Sequence, residues 1–199
     1  MATRPAELSN AKFAPAPARV HTDVRAGARR KNAASAALRS RVARAVDTGA
    51  IHGLIEHYAA QGLLLPRTLE NVRECIAHFL VMADGEKIVG CVALEPYGAD
   101  LVEVRSLAVA HGYEGHGLGA RLLRFALAVA KRRRVARVFA VTHAPEFFTR
   151  QGFAATRRQH IPEKIERDCN ACPKRQNCDL VAVVAAASAN TNLLRVLPA

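Results

Sequence analysis

The stretch Leu101-Val102-Glu103-Val104-Arg105-Ser106-Leu107-Ala108-Val109, then Gly112-Tyr113-Glu114-Gly115-His116-Gly117-Leu118-Gly119, then Leu122-Leu123, says most about how this chain folds. Its first half alternates as a strand does, with Glu103 and Arg105 on one face and Val102 and Val104 on the other. The alternation fails over residues 106–109, which are uniformly small or apolar; a β-bulge is one way to produce such a break. A glycine-rich turn follows. Beyond it Leu118, Leu122, Phe125 and Val129 recur on one helical face. Glycines let backbone N–H groups approach an anion closely, and the start of a helix adds a favourable dipole. The spacing is not that of a dinucleotide fingerprint, and no Gly-Lys-Ser/Thr follows as in a Walker loop. What remains is either a pyrophosphate cradle of another type or a simple tight connection.

Working outward, residues 137–141 read as a strand parallel to the first through a helical crossover. Residues 145–151 read as a short helix ended by Gly152. A buried strand is expected over residues 180–185. On the N-terminal side, residues 79–82 and 88–94 form strands joined by the hairpin signal Asp84-Gly85-Glu86. A helix carrying Ile51, Leu54, Ile55 and Tyr58, capped by Asp47 or Thr48, ends at Gly62. A second helix starts at Thr68, and residues 42–46 alternate like a short strand.

The chain has 199 residues, enough for one domain and its core. It carries 29 Lys and Arg against 17 acids, a net charge of +12, which favours an anionic partner. Eight of those cations and only Glu7 and Asp23 lie in residues 1–40. That segment is rich in Ala, Pro and Arg and reads as a disordered arm: a solvated extension, an anion-binding tail or a transit peptide. A helix over residues 33–44 would soften its boundary. The folded domain is expected over residues 41–186, with a tail over 187–199. No long apolar run predicts a membrane span, and no apolar leader predicts export. Five cysteines without an export signal suggest a reducing cytosol. Trp is absent and aromatics are 5%, which disfavours a nucleic-acid platform built on base stacking.

Ser106-Leu107-Ala108-Val109, Gly115-x-Gly117-x-Gly119 and Leu122-Leu123 resemble the central motif of the GCN5-related N-acetyltransferase (GNAT) superfamily. The segments Gln61-Gly62-Leu63-Leu64-Leu65-Pro66-Arg67-Thr68, Phe139-Ala140-Val141-Thr142, Phe147-Phe148-x-x-Gln151-Gly152-Phe153 and Ile161-Pro162-Glu163-Lys164 narrow the likeness. Together they resemble the single-domain amino-acid N-acetyltransferases, the N-acetylglutamate synthases that open arginine biosynthesis. The resemblance implies an α/β fold with a mixed, mostly antiparallel sheet flanked by helices. Acetyl-CoA would lie in a V-shaped split between two central parallel strands. Backbone groups of Leu107, Ala108 and Val109 would pair with pantetheine and polarise the acetyl carbonyl, and amides of Gly115, His116, Gly117, Leu118 and Gly119 would hold the pyrophosphate. The family usually places Arg or Gln where Glu114 stands, so Glu114 is expected to point to solvent, with Arg121 and Arg124 available to offset its charge.

Direct acetyl transfer to an amine needs a proton acceptor, donors for the thioester oxygen and a partner for the leaving thiolate. Glu103 sits at the family position for the base; it reads equally as a strand carboxylate paired with Arg105. Thr142 matches a position where a hydroxyl assists the thiolate, or is a β-favoured residue at a strand end. Arg67 matches a substrate-carboxylate Arg, which binds bidentately, or is a loop Arg; Arg105 is a second substrate candidate. The implied acceptor is a small amino acid, glutamate before glutamine. The competing reading from another class is a non-catalytic nucleic-acid-binding or scaffold protein using the basic arm. The oligomeric state, a homodimer included, is left open.

Cys169-x2-Cys172-Pro173-x4-Cys178 reads as a zinc or iron–sulfur ligand set short of a fourth ligand, which His160 would supply, as reversible thiols, or as buried structural cysteines. Cys75 and Cys91 read as core, and His143 as a surface residue or, alternatively, as one near the acceptor.

Overall fold

A computed structural model of the chain describes residues 38–172 and 175–187. Among them, seven strands form one sheet: β1 (Leu38–Val42), β2 (Phe79–Asp84), β3 (Lys87–Pro96), β4 (Leu101–Val109), β5 (Arg137–Thr142), β6 (Ala154–Thr156) and β7 (Val181–Ala186). Their order is β1-β2-β3-β4-β5-β7-β6. The helices are α1 (Thr48–Ala59), α2 (Leu69–Glu74), α3 (Leu118–Arg132), α4 (Pro145–Thr149) and α5 (Pro162–Lys164); the last runs on into a wider π-helical turn, Ile165–Cys169.

Every pairing is antiparallel except β4 with β5. That parallel ladder covers only Leu101↔Arg137, Val102↔Val138 and Glu103↔Phe139. Beyond Glu103 the two strands separate, and this is the V-shaped split. The break in the sequence of β4 is a bulge. Ala93 faces Arg105 and Cys91 faces Ala108, so Ser106 and Leu107 together oppose Val92. Ser106 takes a left-handed φ of 50° to absorb the extra residue.

α3 covers one face of the sheet. Its Leu122, Leu123, Ala126 and Ala130 pack with Leu80, Met82, Val92, Leu94 and Val138, each buried large apolar side chain contributing roughly 1.5–3 kcal/mol. The approach is close: a Cβ on Gly90 of β3 would lie 2.7 Å from Leu122 Cδ1 and 3.1 Å from the Ala108 carbonyl. α1 and α2 cover the other face through Ile51, Ile55 and Val72, against Phe79, Val81 and Ala93. A third cluster joins Tyr97, Leu101, Phe139, Ile161 and Ala182 and seats α5 beside the mouth of the split.

Three expectations change. The first strand is Leu38–Val42, not residues 42–46, because it is the edge strand that pairs along β2, with Leu38 opposite Asp84 and Val42 opposite Leu80. Residues 38–42 of the suggested helix over 33–44 are therefore strand. Strand β6, which breaks no composition rule but is three residues long, was not foreseen. The expected arm, apart from residues 38–40, lies outside the described residues, as does the tail apart from Ala187. The Asp84-Gly85-Glu86 hairpin and the Thr68 cap form as expected; the Thr68 hydroxyl accepts from the Asn71 amide at 3.1 Å.

Candidate active site

Antiparallel register places Glu95 of β3 directly opposite Glu103 of β4. Two like charges in that position repel, and both residues are buried. Cations from three other segments compensate. Glu103 Oε2 accepts from Lys164 Nζ at 2.9 Å and from the Tyr97 hydroxyl at 2.8 Å, with Arg105 Nε 3.6 Å away. Its Oε1 takes none of these contacts. Glu95 accepts from Arg167 at 3.0 Å and from Arg67 at 3.3 Å. Burial would push the Glu95 carboxyl up; the hydrogen bonds and charges of Arg167 and Arg67 overcome it and hold the group below the usual carboxylate range.

The π-helical turn closes the cluster. Asp168 Oδ2 accepts from Lys164 Nζ at 2.6 Å and from the Tyr97 hydroxyl at 2.5 Å, and lies 3.5 Å from Arg105. Arg167 stacks over the Tyr97 ring at 4.1 Å and donates to the Pro96 carbonyl at 2.6 Å. Burial first, and then the charge of Glu103, raises the Tyr97 hydroxyl far above its ordinary value, so Tyr97 is a fixed hydrogen-bond donor. Ile161 anchors this segment in the core, and Pro162 starts the helix at a position where its missing N–H costs nothing.

Arg67 reaches the cluster from the loop before α2. Its Nε donates to Asn71 Oδ1 at 2.8 Å, and its guanidinium lies over the Phe79 ring at 5.4 Å. The remaining nitrogen, NH1, is buried and has no partner among the described residues. The structure thus brings Glu103, Arg105 and Arg67 together. It adds Glu95, Tyr97, Lys164, Arg167 and Asp168, to which sequence reasoning assigned no role. Lys164 stood inside a quoted motif; the others needed the register and the docking of α5.

Thr142 ends β5 opposite Val181. Its hydroxyl accepts from the Ala144 amide at 3.0 Å, which leaves its own proton for another acceptor.

On the far side of the bulge, β4 has no ladder to β5 from Val104 onward. Its backbone there forms an open edge through Leu107, Ala108 and Val109. The turn that follows delivers the start of α3. Gly115 and Gly117 adopt φ of 72° and 76°, the left-handed region that glycine enters freely. Helix geometry leaves the first amides of α3, from Leu118 and Gly119, without intrahelical partners; His116 is exposed beside them. Open edge and helix start together offer donors and acceptors for an amide-containing chain that ends in an anion.

Glu114 is exposed, as expected, and is also held in place. It accepts from the Tyr58 hydroxyl, which also reaches the Val109 carbonyl at 2.5 Å, and His111 lies 3.5 Å away. Burial, then the Glu114 bond, pushes the Tyr58 hydroxyl up to about 12. Arg121 is not a free counter-charge either, since it donates to the Leu38 carbonyl at 2.7 Å. His143 pairs with Asp179 at 3.5 Å and is half-exposed.

The cysteine set is not assembled. Among the described residues, the one group of three metal-type ligand atoms within 4.8 Å of one another is Cys75, His78 and Glu95. Glu95 there already serves two guanidinium groups, which opposes a further cation. Cys178 instead receives a hydrogen bond from Arg158 at 3.1 Å. Arg157, Arg158, Arg175 and Cys169 line a cavity of about 460 Å³ along β6 and β7. Cys91 is core, its thiol pushed up to about 12 by burial, whereas Cys75 is only half-buried at the end of α2.

A family model for the acetyltransferase (GNAT) domain matches residues 76–155. The chain is 40% identical over 144 residues to an uncharacterized N-acetyltransferase of Chlorobaculum tepidum, spanning 72% of this chain and 93% of that protein. The chain belongs to the GNAT acetyltransferase family. It is accordingly an acetyl-CoA-dependent acyltransferase, and the split between β4 and β5 is that of the GNAT fold. The GNAT domain is also 38% identical over 116 residues to the amino-acid acetyltransferase of Mycobacterium tuberculosis, spanning 57% of this chain and 66% of that one. Among solved structures it resembles N-acetylglutamate synthase from Neisseria gonorrhoeae, complexed with coenzyme A and N-acetyl-glutamate. That match has a TM-score of 0.69 and 27% identity, and covers 75% of this chain but 35% of the other.

Proposed function

We propose that this enzyme transfers acetyl from acetyl-CoA to the α-amino group of L-glutamate, the step that opens arginine biosynthesis. The observation that carries the reading is the charge around Arg67. Arg67 and Arg167 share one carboxylate, Glu95, and Arg67 NH1 is buried without a partner among the described residues. A buried donor left unmade costs about 1–3 kcal/mol, and a carboxylate of the acceptor would satisfy it bidentately. The amino-acid acetyltransferase relative and the gonococcal complex support the same acceptor class.

In this reading the open edge at Leu107, Ala108 and Val109 pairs with pantetheine, and its N–H groups take the charge that builds on the thioester oxygen. Amides of residues 115–119 hold the pyrophosphate. Glu103 Oε1, outside the Lys164 and Tyr97 contacts, accepts the proton of the acceptor ammonium through a water. The free amine then attacks the thioester carbon, the C–S bond breaks, and the Thr142 hydroxyl donates toward the departing thiolate. Arg67 and Arg105 hold the acceptor.

CoA release is measured with L-glutamate, L-glutamine and L-lysine in parallel. Saturable turnover with L-glutamate is expected, with Glu103→Gln reducing kcat by about 100-fold or more. Preference for L-glutamine, or no turnover with any of the three while acetyl-CoA still binds, would sink the glutamate assignment.

A further inference from the structure

The three carboxylates of the acceptor-side cluster are held differently. The side chains of Glu95 and Glu103 are 8% and 3% exposed, and both belong to strands. The Asp168 side chain is 26% exposed and comes from the π-helical turn Ile165–Cys169, where the Asn170 amide bonds the Ile165 carbonyl at 3.0 Å. Such wide turns are frequent at functional sites. Asp168 nevertheless faces three donors through Oδ2, from Lys164, Tyr97 and Arg105, and Arg167 lies 3.6 Å from its Oδ1.

Charge balance gives this arrangement a meaning. Lys164 and Arg105 surround Glu103. Without Asp168 they leave one positive charge uncompensated in a largely buried place, which is costly. We propose that Asp168 is a displaceable stand-in for a carboxylate of the acceptor. It neutralises Lys164 and Arg105 while the site is empty, and an incoming carboxylate takes its place on them when the acceptor binds. This inference rests on the reading of the acceptor as an amino acid with an anionic side chain. Exchange of one carboxylate for another conserves the local charge, so Lys164 and Arg105 keep two counter-charges whether the site is empty or filled. Arg67 and Arg167, which share Glu95, receive the second carboxylate. The two positions make the cleft selective for a dicarboxylate over a monocarboxylate. The competition with Asp168 weakens acceptor binding without touching the acetyl-CoA side.

Asp168→Asn and Asp168→Ala are compared with wild type and with Glu166→Gln. The last removes the same charge from an exposed residue two positions away on the same turn. Binding of glutarate, a dicarboxylate without an amine, is followed by titration calorimetry and needs no turnover; KM values for L-glutamate and acetyl-CoA are measured separately. Both Asp168 variants are expected to bind glutarate several-fold more tightly and to lower the L-glutamate KM, with the acetyl-CoA KM and the Glu166→Gln enzyme unchanged. Unaltered or weaker glutarate binding in both variants, or an equal gain in Glu166→Gln, would overturn the proposal. Tighter glutarate binding in enzymes that do not turn over L-glutamate would uphold the carboxylate slot and reject the amino acid as substrate.

Discussion

Glu114 shows how one side chain departs from what its neighbours in sequence imply. An acidic residue between two glycines of an anion-holding turn reads as a liability that should swing to solvent. Its partner lies 56 positions earlier, at Tyr58 on α1, and the same hydroxyl reaches the Val109 carbonyl at the end of β4. Glu114 therefore helps fix the turn to α1 while still placing a negative charge near the proposed pyrophosphate position. Glu114→Gln keeps an acceptor for Tyr58 and removes the charge. The KM for acetyl-CoA is expected to fall about two- to threefold at low ionic strength, an effect that salt screening reduces. An unchanged KM at low salt would mean that the carboxylate does not sense the phosphates.

The contact between β3 and α3 decides the shape of β4. Gly90 leaves room for Leu122, and the Ala108 carbonyl sits just beyond. A methyl group there must displace a buried leucine or push on the bulged strand. Gly90→Ala is expected to cost about 1–3 kcal/mol of stability by overpacking and to weaken acetyl-CoA binding through the shifted Ala108 backbone. Thermal unfolding and CoA titration check the two effects separately. Wild-type stability in the variant would show that Leu122 rotates away freely. The periodicity of α3 and the extent of β4 were legible because each is local: a 3.6-residue repeat and a strand with a single break. The β1 boundary was not. Leu38-Arg39-Ser40-Arg41-Val42 has little apolar signal, and it is a strand because β2 offers an edge.

Among the described residues, four acids are held below the usual carboxylate range: Asp47, Glu95, Asp168 and, by its hydrogen bond from Tyr58, Glu114. For Asp47 the cause is its hydrogen bonds from Arg41 at 2.6 and 2.9 Å, which outweigh burial. For Glu95 and Asp168, burial acts upward, and the donors from Arg167, Arg67, Lys164 and Tyr97 overcome it. Groups whose folded values are depressed stabilise the fold above their unfolded values near 4 and lose that contribution as pH falls through the folded ones. The melting temperature is thus expected to stay level from pH 7 to about pH 5 and to fall below about pH 4. Asp47→Asn should lower it at pH 7 and lie closer to wild type at pH 3. A constant difference between the two proteins across that range would contradict the assignment to Asp47.

The glycine turn, the apolar face of α3, the hairpin and the break in β4 are written in neighbouring residues, because φ preferences and side-chain periodicity act over a few positions. Together with the dispersed motifs they carried the resemblance to GNAT proteins, which implied the split and made Glu103, Arg67 and the turn candidates. The charge cluster around Glu103 was beyond that reach. Glu95 becomes its neighbour only through antiparallel register, and Lys164 and Asp168 arrive only when Ile161 docks α5 in the core. The cysteines are another case: their spacing left a ligand set, reversible thiols and structural cysteines open, and only the fold shows that Cys178 accepts a hydrogen bond from Arg158 and that Cys75 lies near His78 and Glu95. Ion pairs among buried groups depend on distances across the fold, which a linear sequence does not contain, and so tertiary packing alone decided which charges gather around Glu103.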